Sequence, residues 1–148
     1  TMVSGQSMYP TLENNDYLFI NKLAYKVESP KRGDIIVFKT ELVNIKSLKK
    51  KKLVKRVIAL PGEHLVIRNS KVYINGKLLD ESYINGVDTM GDIDIIVPKN
   101  NVFAMGDNRP NSMDSRDSEI GTISLDDIVG KVSIRVYPFK LIYIYYYN

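Results

Sequence analysis

The sequence predicts a mostly β protein in which antiparallel strands form a folded, barrel-like sheet with little helix. Apolar and β-branched residues cluster in short runs, and turn pairs such as Pro-Gly and Asn-Gly separate these runs. Helical periodicity is nearly absent. The chain has 148 residues, of which 44% are hydrophobic and 26% charged, a composition typical of a folded protein. We therefore expect a single domain, residues 1–148, with a core of its own.

Three strands are predicted in the first half of the chain. Residues 17–23 are rich in aromatic and β-branched side chains, which favour strands. Residues 35–38 are continuously apolar, which suits a strand buried on both faces, and residues 53–60 form the next apolar run. Between these two runs, residues 40–52 are expected to form a polar, basic connection.

A hairpin is predicted in the middle of the chain. Strand-like runs occupy residues 64–68 and 71–79, and the second run folds back at Asn75-Gly76. Asn-Gly is a strong hairpin signal because both residues accept positive φ. Residues 82–91 are expected to form a loop.

The last third of the chain contains a long polar loop between strands. Short strands are predicted at residues 93–97 and 102–105, the loop at 106–121, and a final strand at 128–139. Long loops in compact domains usually carry function. The tyrosine-rich run at 141–147 suits either a membrane interface or an aromatic edge strand.

The composition excludes several kinds of site. The absence of cysteine rules out disulfides, thiol catalysis and Cys-bound metals. The single histidine, His64, follows a Pro-Gly turn, which favours a partly exposed structural role and gives no metal cluster. The net charge of +4 is mild, and basic and aromatic residues do not interleave as in a nucleic-acid platform, so we expect no nucleic-acid partner. We also expect no metal and no cofactor. The densest basic run, residues 49–52, suits either a solvated hairpin tip or a segment that binds an anionic surface.

Ser7 is the candidate nucleophile. It lies between Gly5, which tolerates unusual backbone conformations, and Pro10, which fixes its own φ. A rigid turn of this kind can present a hydroxyl to a cleft with a free backbone N–H beside it, as nucleophilic catalysis requires. Taken alone, the pattern also fits an ordinary turn.

A serine nucleophile needs a base, and the candidate is Lys55. Side chains in residues 53–60 alternate between two faces, and each face carries one cation, Lys55 or Arg56, among aliphatic residues. Arginine does not deprotonate in proteins, whereas burial lowers the pKa of a lysine. A lysine that snorkels from a strand edge would show the same pattern.

The segment at residues 106–116 is the third candidate. It is dense in hydroxyls, amides and opposed charges, so it can brace itself through side-chain to backbone hydrogen bonds and Asp–Arg pairs. A hydroxyl such as that of Ser112 could accept a hydrogen bond from the lysine and orient it. A purely structural Asx-rich loop is the alternative.

Together these stretches resemble bacterial type I signal peptidase of the Gram-positive type, a membrane-anchored serine protease with a Ser–Lys dyad. Four runs match in family order, and the match covers residues 3–139. They are Ser-Met-Tyr-Pro-Thr-Leu at 7–12, Arg-Gly-Asp-Ile-Ile-Val-Phe at 32–38, Lys-Arg-Val-Ile-Ala-Leu-Pro-Gly-Glu at 55–63 and Gly-Asp-Asn-Arg-Pro-Asn-Ser-Met-Asp-Ser-Arg at 106–116.

The resemblance implies that Ser7 is the nucleophile and Lys55 the general base, that Ser112 holds Lys55, and that Asp114 and Arg116 brace the loop. The substrate would be the signal peptide of an exported preprotein, cut after a small-x-small sequence such as Ala-x-Ala and bound as an added strand. Two shallow apolar pockets would accept the small side chains. The residues expected to line them are Val3, Met8, Leu12, Leu18, Val37 and Val54.

Three departures from the family pattern affect these expectations. Gly5 stands where some members carry a serine that helps to bind the oxyanion, so the Ser7 N–H would act with little side-chain help. Pro110 stands where an acidic residue is common, which removes one N–H and stiffens the loop. Residues 69–98 are few compared with the large cap domain of some relatives, so a small inserted cap or hairpin is expected there.

The family carries one or two N-terminal membrane spans, and no run here reaches the roughly 18–20 apolar residues of a span. The resemblance therefore implies a monomeric catalytic domain on the extracytoplasmic face of the cell membrane, whose anchor lies outside these 148 residues and whose tyrosine-rich run could touch the membrane. Two alternatives stay open. One is a self-cleaving repressor-type Ser–Lys protease, although neither an internal cleavage site nor a DNA-binding domain is evident. The other is a non-catalytic β module that binds extended peptides.

Overall fold

The structure, a computed structural model, describes residues 1–137 and confirms the mostly β class. The tyrosine-rich run and the end of the predicted final strand lie outside the described residues. The helical segments of the described chain are short: α1 at Ala24–Val27 and 3-10 helices at Ser82–Ile84, Arg109–Asn111 and Leu125–Asp127. Its strands are β1 Tyr17–Asn21, β2 Ile35–Val43, β3 Lys50–Ala59, β4 His64–Arg68, β5 Lys71–Ile74, β6 Lys77–Leu78, β7 Ile93–Ile96, β8 Asn101–Met105, β9 Ile123–Ser124 and β10 Ile128–Tyr137.

The strands form two antiparallel sheets. The first has the order β1-β10-β2-β3-β8-β9 and the second the order β6-β5-β4-β7. Register shifts interrupt several pairings of the first sheet, and such bulges increase local twist and curvature. One shift lies at Gly130, where a Cβ atom would stand 2.6 Å from the carbonyl oxygen of Asn21. Glycine at this position therefore lets β1 and β10 approach each other.

The second sheet contains the predicted hairpin. Asn75 and Gly76 have φ angles of 50° and 82°, as the Asn-Gly signal between β5 and β6 predicts. The sheet also takes in β4 and therefore starts at His64, ahead of the inserted region expected at residues 69–98.

A shared apolar cluster joins the two sheets. Most of its buried members come from β3 and β8 of the first sheet and from β4 and β5 of the second. Burial of a large aliphatic or aromatic side chain contributes about 1.5–3 kcal/mol, so this cluster is a main source of stability. Its members from these strands are Ile58, Ala59, Leu65, Ile67, Val72, Ile74, Phe103 and Met105.

The segment at residues 40–52 is largely strand, which corrects the expected connection. β2 continues to Val43 and β3 already begins at Lys50, so only residues 44–49 connect them. Most side chains on this part of the hairpin are exposed, so burial leaves no alternating apolar pattern in the sequence. Pairing here satisfies backbone donors and acceptors rather than burying an apolar face. The short helix α1 was also not predicted.

Candidate active site

Ser7 lies on a tight turn that precedes β1. The Tyr9 N–H donates to the Gln6 carbonyl at 3.1 Å, and the Leu12 N–H donates to the Met8 carbonyl at 3.0 Å. Gly5 has φ of 90°, a conformation that side chains disfavour, so a glycine is needed there. The turn therefore has the defined backbone that the sequence predicts.

The segment at residues 106–116 holds this turn in place. The Asn108 backbone N–H donates to the Ser7 carbonyl at 2.9 Å, and its side-chain amide donates to the Gln6 carbonyl at 3.0 Å. The Thr11 hydroxyl donates to an Asp107 carboxylate oxygen at 2.5 Å. Asn108, Asp107 and Thr11 lie in the predicted stretches, but the sequence gave them no individual role because each contact joins segments about a hundred residues apart.

Lys55 projects from β3 toward the turn, and its Nζ lies 2.7 Å from Ser7 Oγ. The side chain is 3% exposed. The pKa of Lys55 is lowered to about 8, chiefly by burial; the charge of Asp114 opposes this shift, Arg116 adds to it and Asp107 opposes it. No carboxylate in residues 1–137 forms an ion pair with this amine. The Lys55 amine can therefore lose its proton at mildly alkaline pH.

Arg56 lies on the other face of β3 and is fully buried, where it forms an ion pair with Asp107. Its Nε and Nη2 donate to the two carboxylate oxygens of Asp107 at 2.9 and 2.8 Å, and its Nη1 donates to the Gly33 carbonyl at 3.0 Å. The guanidinium also lies 4.0 Å from the centre of the Tyr83 ring. These contacts stabilise the charged form of Arg56 and account for its place in the core.

Ser112, Asp114 and Arg116 form a network beside the Ser7–Lys55 pair. Ser112 Oγ donates to Asp114 at 2.7 Å, and Arg116 donates to Asp114 through Nε and Nη2, each at 2.9 Å. Burial favours a raised pKa for Asp114, but the hydrogen bonds and charge of Arg116 outweigh it and hold the pKa below its usual value. Among the described residues, Lys55 Nζ donates to Ser7 and makes no hydrogen bond with Ser112.

Gly106 begins the predicted third segment, but the sequence analysis gave it no role of its own. Its N–H donates to Ser112 Oγ at 3.2 Å and to Asp114 at 3.0 Å. A Cβ atom here would stand 2.6 Å from the Ser112 Cβ, and nearer still to Ser112 Oγ and the Ser7 carbonyl oxygen. Only glycine therefore lets the network and the Ser7 turn approach β8 this closely.

A cavity of about 190 Å³ opens beside Ser7 and Lys55. Four of the six predicted pocket residues line it, namely Val3, Met8, Val37 and Val54. The other two, Leu12 and Leu18, lie beneath it in a buried apolar cluster with Val3 and Val37. Leu18 points inward because strand side chains alternate, and its neighbours Tyr17 and Phe19 are exposed.

His64 lies in the second sheet and is half-exposed, with Nε2 2.5 Å from an Asp94 carboxylate oxygen. It takes no part in the site around Ser7. Within residues 1–137, no group of three or more His, Cys, Asp and Glu side chains is placed to bind a metal ion. The same residues contain no helix that is both long enough and apolar enough to cross a bilayer.

Comparison with known proteins identifies the family. The model of the family described as signal peptidase, peptidase S26, matches residues 1–137. Signal peptidase I of Bacillus caldolyticus is 39% identical over 94% of this chain and 79% of its own length, and signal peptidase I T of Bacillus subtilis (strain 168) is 40% identical over 94% and 74%. A crystal structure of a signal peptidase I from Enterococcus faecalis V583 matches with a TM-score of 0.57 and 30% identity over 70% of this chain and 97% of that chain. The chain belongs to the signal peptidase family, peptidase S26.

Proposed function

We propose that this protein is a serine endopeptidase that removes signal peptides from exported preproteins at the extracytoplasmic face of the cell membrane. Ser7 is the nucleophile and Lys55 the general base. The observation that carries the proposal is the 2.7 Å distance between Ser7 Oγ and the Nζ of a buried lysine whose pKa is lowered to about 8. Membership of the signal peptidase family supports the same reaction class.

The proposed reaction is acyl transfer through the Ser7 hydroxyl. Ser7 Oγ attacks the scissile carbonyl carbon while its proton passes to the neutral amine of Lys55. The tetrahedral intermediate then expels the new amino terminus of the mature protein, which takes the proton back from Lys55. Lys55 next accepts a proton from water as the water attacks the carbonyl carbon of the Ser7 ester. The bond to Ser7 Oγ then breaks, Ser7 Oγ takes the proton back from Lys55, and the signal peptide leaves as a carboxylic acid.

The oxyanion of the intermediate needs hydrogen-bond donors fixed in advance. No described residue accepts a hydrogen bond from the Ser7 backbone N–H, so that donor is available to the oxyanion. Gly5 offers no hydroxyl to assist it. The hydrogen bond from Asn108 to the Ser7 carbonyl fixes the orientation of the adjoining backbone.

The substrate would bind as a strand along β3. On the side of β3 that faces β8, the pairing covers only the stretch from Arg56 to Ala59. Among the described residues, Lys50–Lys55 therefore has no partner strand on that edge, and an extended peptide could add to it. The small cavity beside Ser7, lined by Val37 and Val54, favours small side chains next to the cleaved bond, as in an Ala-x-Ala sequence.

The test is cleavage of a preprotein that carries an Ala-x-Ala site, followed by gel electrophoresis and mass spectrometry of the products. Ser7→Ala and Lys55→Met are each expected to lower kcat/KM by about a thousandfold or more, because each removes one half of the acyl-transfer pair. In the wild type, kcat/KM is expected to rise with pH through about 8 as Lys55 loses its proton.

Ser118→Ala and Lys99→Ala serve as matched controls, because both side chains are exposed and lie outside the cavity. Both should retain wild-type cleavage. A Lys55→Met variant that cleaves at the wild-type rate would show that Lys55 is not the general base. A wild-type protein that binds the preprotein without cutting it would instead be a peptide-binding module.

A further inference from the structure

The tip of the β2–β3 hairpin, residues 43–51, exposes large apolar side chains. Ile45 is 91% exposed and Leu48 80% exposed, and Val43 is also exposed. An aliphatic side chain that is exposed to this extent gains nothing from the core of its own protein. Three such side chains at one tip form an apolar surface that water solvates poorly.

The same tip concentrates the positive charge of the protein. It carries four lysines and no acidic residue, whereas the rest of the chain contains 17 basic and 17 acidic residues. The net charge of +4 is thus equal to the charge of this one tip. Within the described chain a single carboxylate, that of Glu41, pairs with one of these lysines, Lys50, at 2.8 Å.

The tip is an ordered turn rather than a loose loop. The Asn44 N–H donates to the Lys49 carbonyl at 2.8 Å, and the Leu48 N–H donates to the Asn44 carbonyl at 2.8 Å. Leu48 has φ of 58°, a left-handed conformation in which glycine or asparagine is relaxed and a leucine is strained. The turn therefore holds a large apolar side chain outward at a position where a smaller residue would fit better.

We propose that this hairpin tip docks onto a bilayer that contains anionic lipids. Ile45 and Leu48 enter the interface between headgroups and acyl chains, and the four lysines contact the anionic headgroups. Apolar side chains ringed by lysines are the pattern that binds such surfaces, because the lysine stems reach along the apolar region while the amines stay at the headgroups.

Docking would orient the proposed peptide-binding edge relative to the membrane. β3 runs without a break from the tip to Lys55, a distance from Lys50 of about 17 Å at the usual rise per residue. Lys52 and Val54, on the same strand, line the cavity beside Ser7. The inference extends the proposed function to the place where the enzyme works, but vesicle binding is measured without turnover, so the two can fail separately.

A position-specific fluorescence experiment tests the contact, since the chain contains no tryptophan. Ile45→Trp places a single reporter at the tip. Vesicles of phosphatidylcholine and phosphatidylglycerol, about three to one, should shift its emission to shorter wavelength, and lipids brominated on the acyl chain should quench it. The matched control is Leu78→Trp in the β5–β6 hairpin, an exposed apolar position beside Lys77, which should show neither effect.

A sedimentation experiment separates the tip from general electrostatic attraction. Lys46→Glu, Lys49→Glu and Lys51→Glu in one protein should weaken binding to these vesicles by about tenfold or more. Lys71→Glu, Lys77→Glu and Lys99→Glu change the net charge equally, outside the tip, and should weaken it much less. Circular dichroism confirms that both proteins fold.

The double variant Ile45→Ser and Leu48→Ser should also lose binding, because it removes the apolar contact while keeping every charge. Three results would overturn the proposal: no spectral shift at position 45, equal losses from the two lysine sets, or full binding by the serine variant. Cleavage of a soluble peptide should remain at the wild-type level in the serine variant, which shows that the site around Ser7 is intact.

Discussion

Lys55 and Arg56 are adjacent cations on β3, and their side chains lie in different electrostatic environments. Arg56 is buried against the carboxylate of Asp107, which keeps it charged. Lys55 is buried without a carboxylate partner among the described residues, and its Nζ contacts the Ser7 hydroxyl instead. Burial without a counter-ion costs free energy, and that cost makes the amine a usable base.

This difference predicts that Lys55→Met stabilises the protein near neutral pH. A pKa lowered from 10.5 to about 8 corresponds to roughly 3 kcal/mol, against about 1 kcal/mol for the lost hydrogen bond to Ser7. Between these two pKa values the unfolded state binds more protons than the folded state, so wild-type stability rises with pH. The advantage of Lys55→Met is therefore complete below pH 8 and disappears as pH rises through 10.5.

Urea unfolding at a series of pH values measures this effect. Lys99→Met, at an exposed position, is the control and should show no pH-dependent difference from the wild type. A Lys55→Met protein that is less stable than the wild type at pH 7 would show that the charged lysine is not disfavoured in the fold.

Single residues were identified from the sequence where local chemistry is distinctive. The turn around Ser7 and the single deprotonatable cation of residues 53–60 needed no tertiary information. The burial of Lys55 and the close approach at Gly106 depend on segments that are distant in the chain. Leu12 and Leu18 were predicted to line the pocket, but they face the core. Sequence proximity to a site does not show which of the two an apolar side chain faces.

At the scale of elements, the segment at residues 106–116 connects the Ser7 turn to β3. Asp107 is the centre of this connection, since it accepts hydrogen bonds from Arg56 on β3 and from Thr11 on the turn. Both Asp107 and Arg56 are fully buried, so neither charge has water as an alternative partner.

Asp107→Asn is therefore expected to destabilise the protein by about 3–5 kcal/mol, because Arg56 would remain buried without a counter-charge. Thermal unfolding followed by circular dichroism measures the loss. Cleavage activity should fall as well, even where the protein is still folded, because the Thr11 hydroxyl of the turn loses its carboxylate acceptor. Glu41→Gln at the exposed pair with Lys50 is the control and should leave the melting temperature unchanged. Equal melting temperatures for Asp107→Asn and the wild type would contradict this account.

The β2–β3 hairpin shows which elements a sequence pattern reveals. Residues 35–38 were predicted as a strand because they bury apolar side chains on both faces. The continuation to Val43 was not, because it pairs through its backbone with side chains largely in solvent. Backbone pairing leaves no periodic signal, whereas burial does.

At the scale of the whole molecule, the two sheets share one apolar cluster, so we expect them to unfold together. Ile67→Ala removes a fully buried side chain of β4 and should cost about 2–5 kcal/mol. Loss of cleavage activity and loss of β-sheet circular dichroism should then shift to lower urea concentration by the same amount. Ile96→Ala, an exposed position on β7, should change stability by less than about 0.5 kcal/mol. Activity that persists after the second sheet has unfolded would show that the sheets are independent.

The fold class could be predicted from the sequence, but the arrangement of the sheets could not. Strand runs and turns are local signals and gave the mostly β class. The strand order β1-β10-β2-β3-β8-β9 pairs strands from opposite ends of the described chain, and no local pattern selects such partners.

Asn108, about a hundred residues further along the chain, holds the Ser7 turn in place through two hydrogen bonds. During synthesis on the ribosome, the serine emerges long before the segment that positions it. Until Asn108 has emerged and folded back, the Ser7 turn lacks the hydrogen bonds that Asn108 donates to the Ser7 and Gln6 carbonyls. The site around Ser7 is thus incomplete until the segment at residues 106–116 has been synthesised.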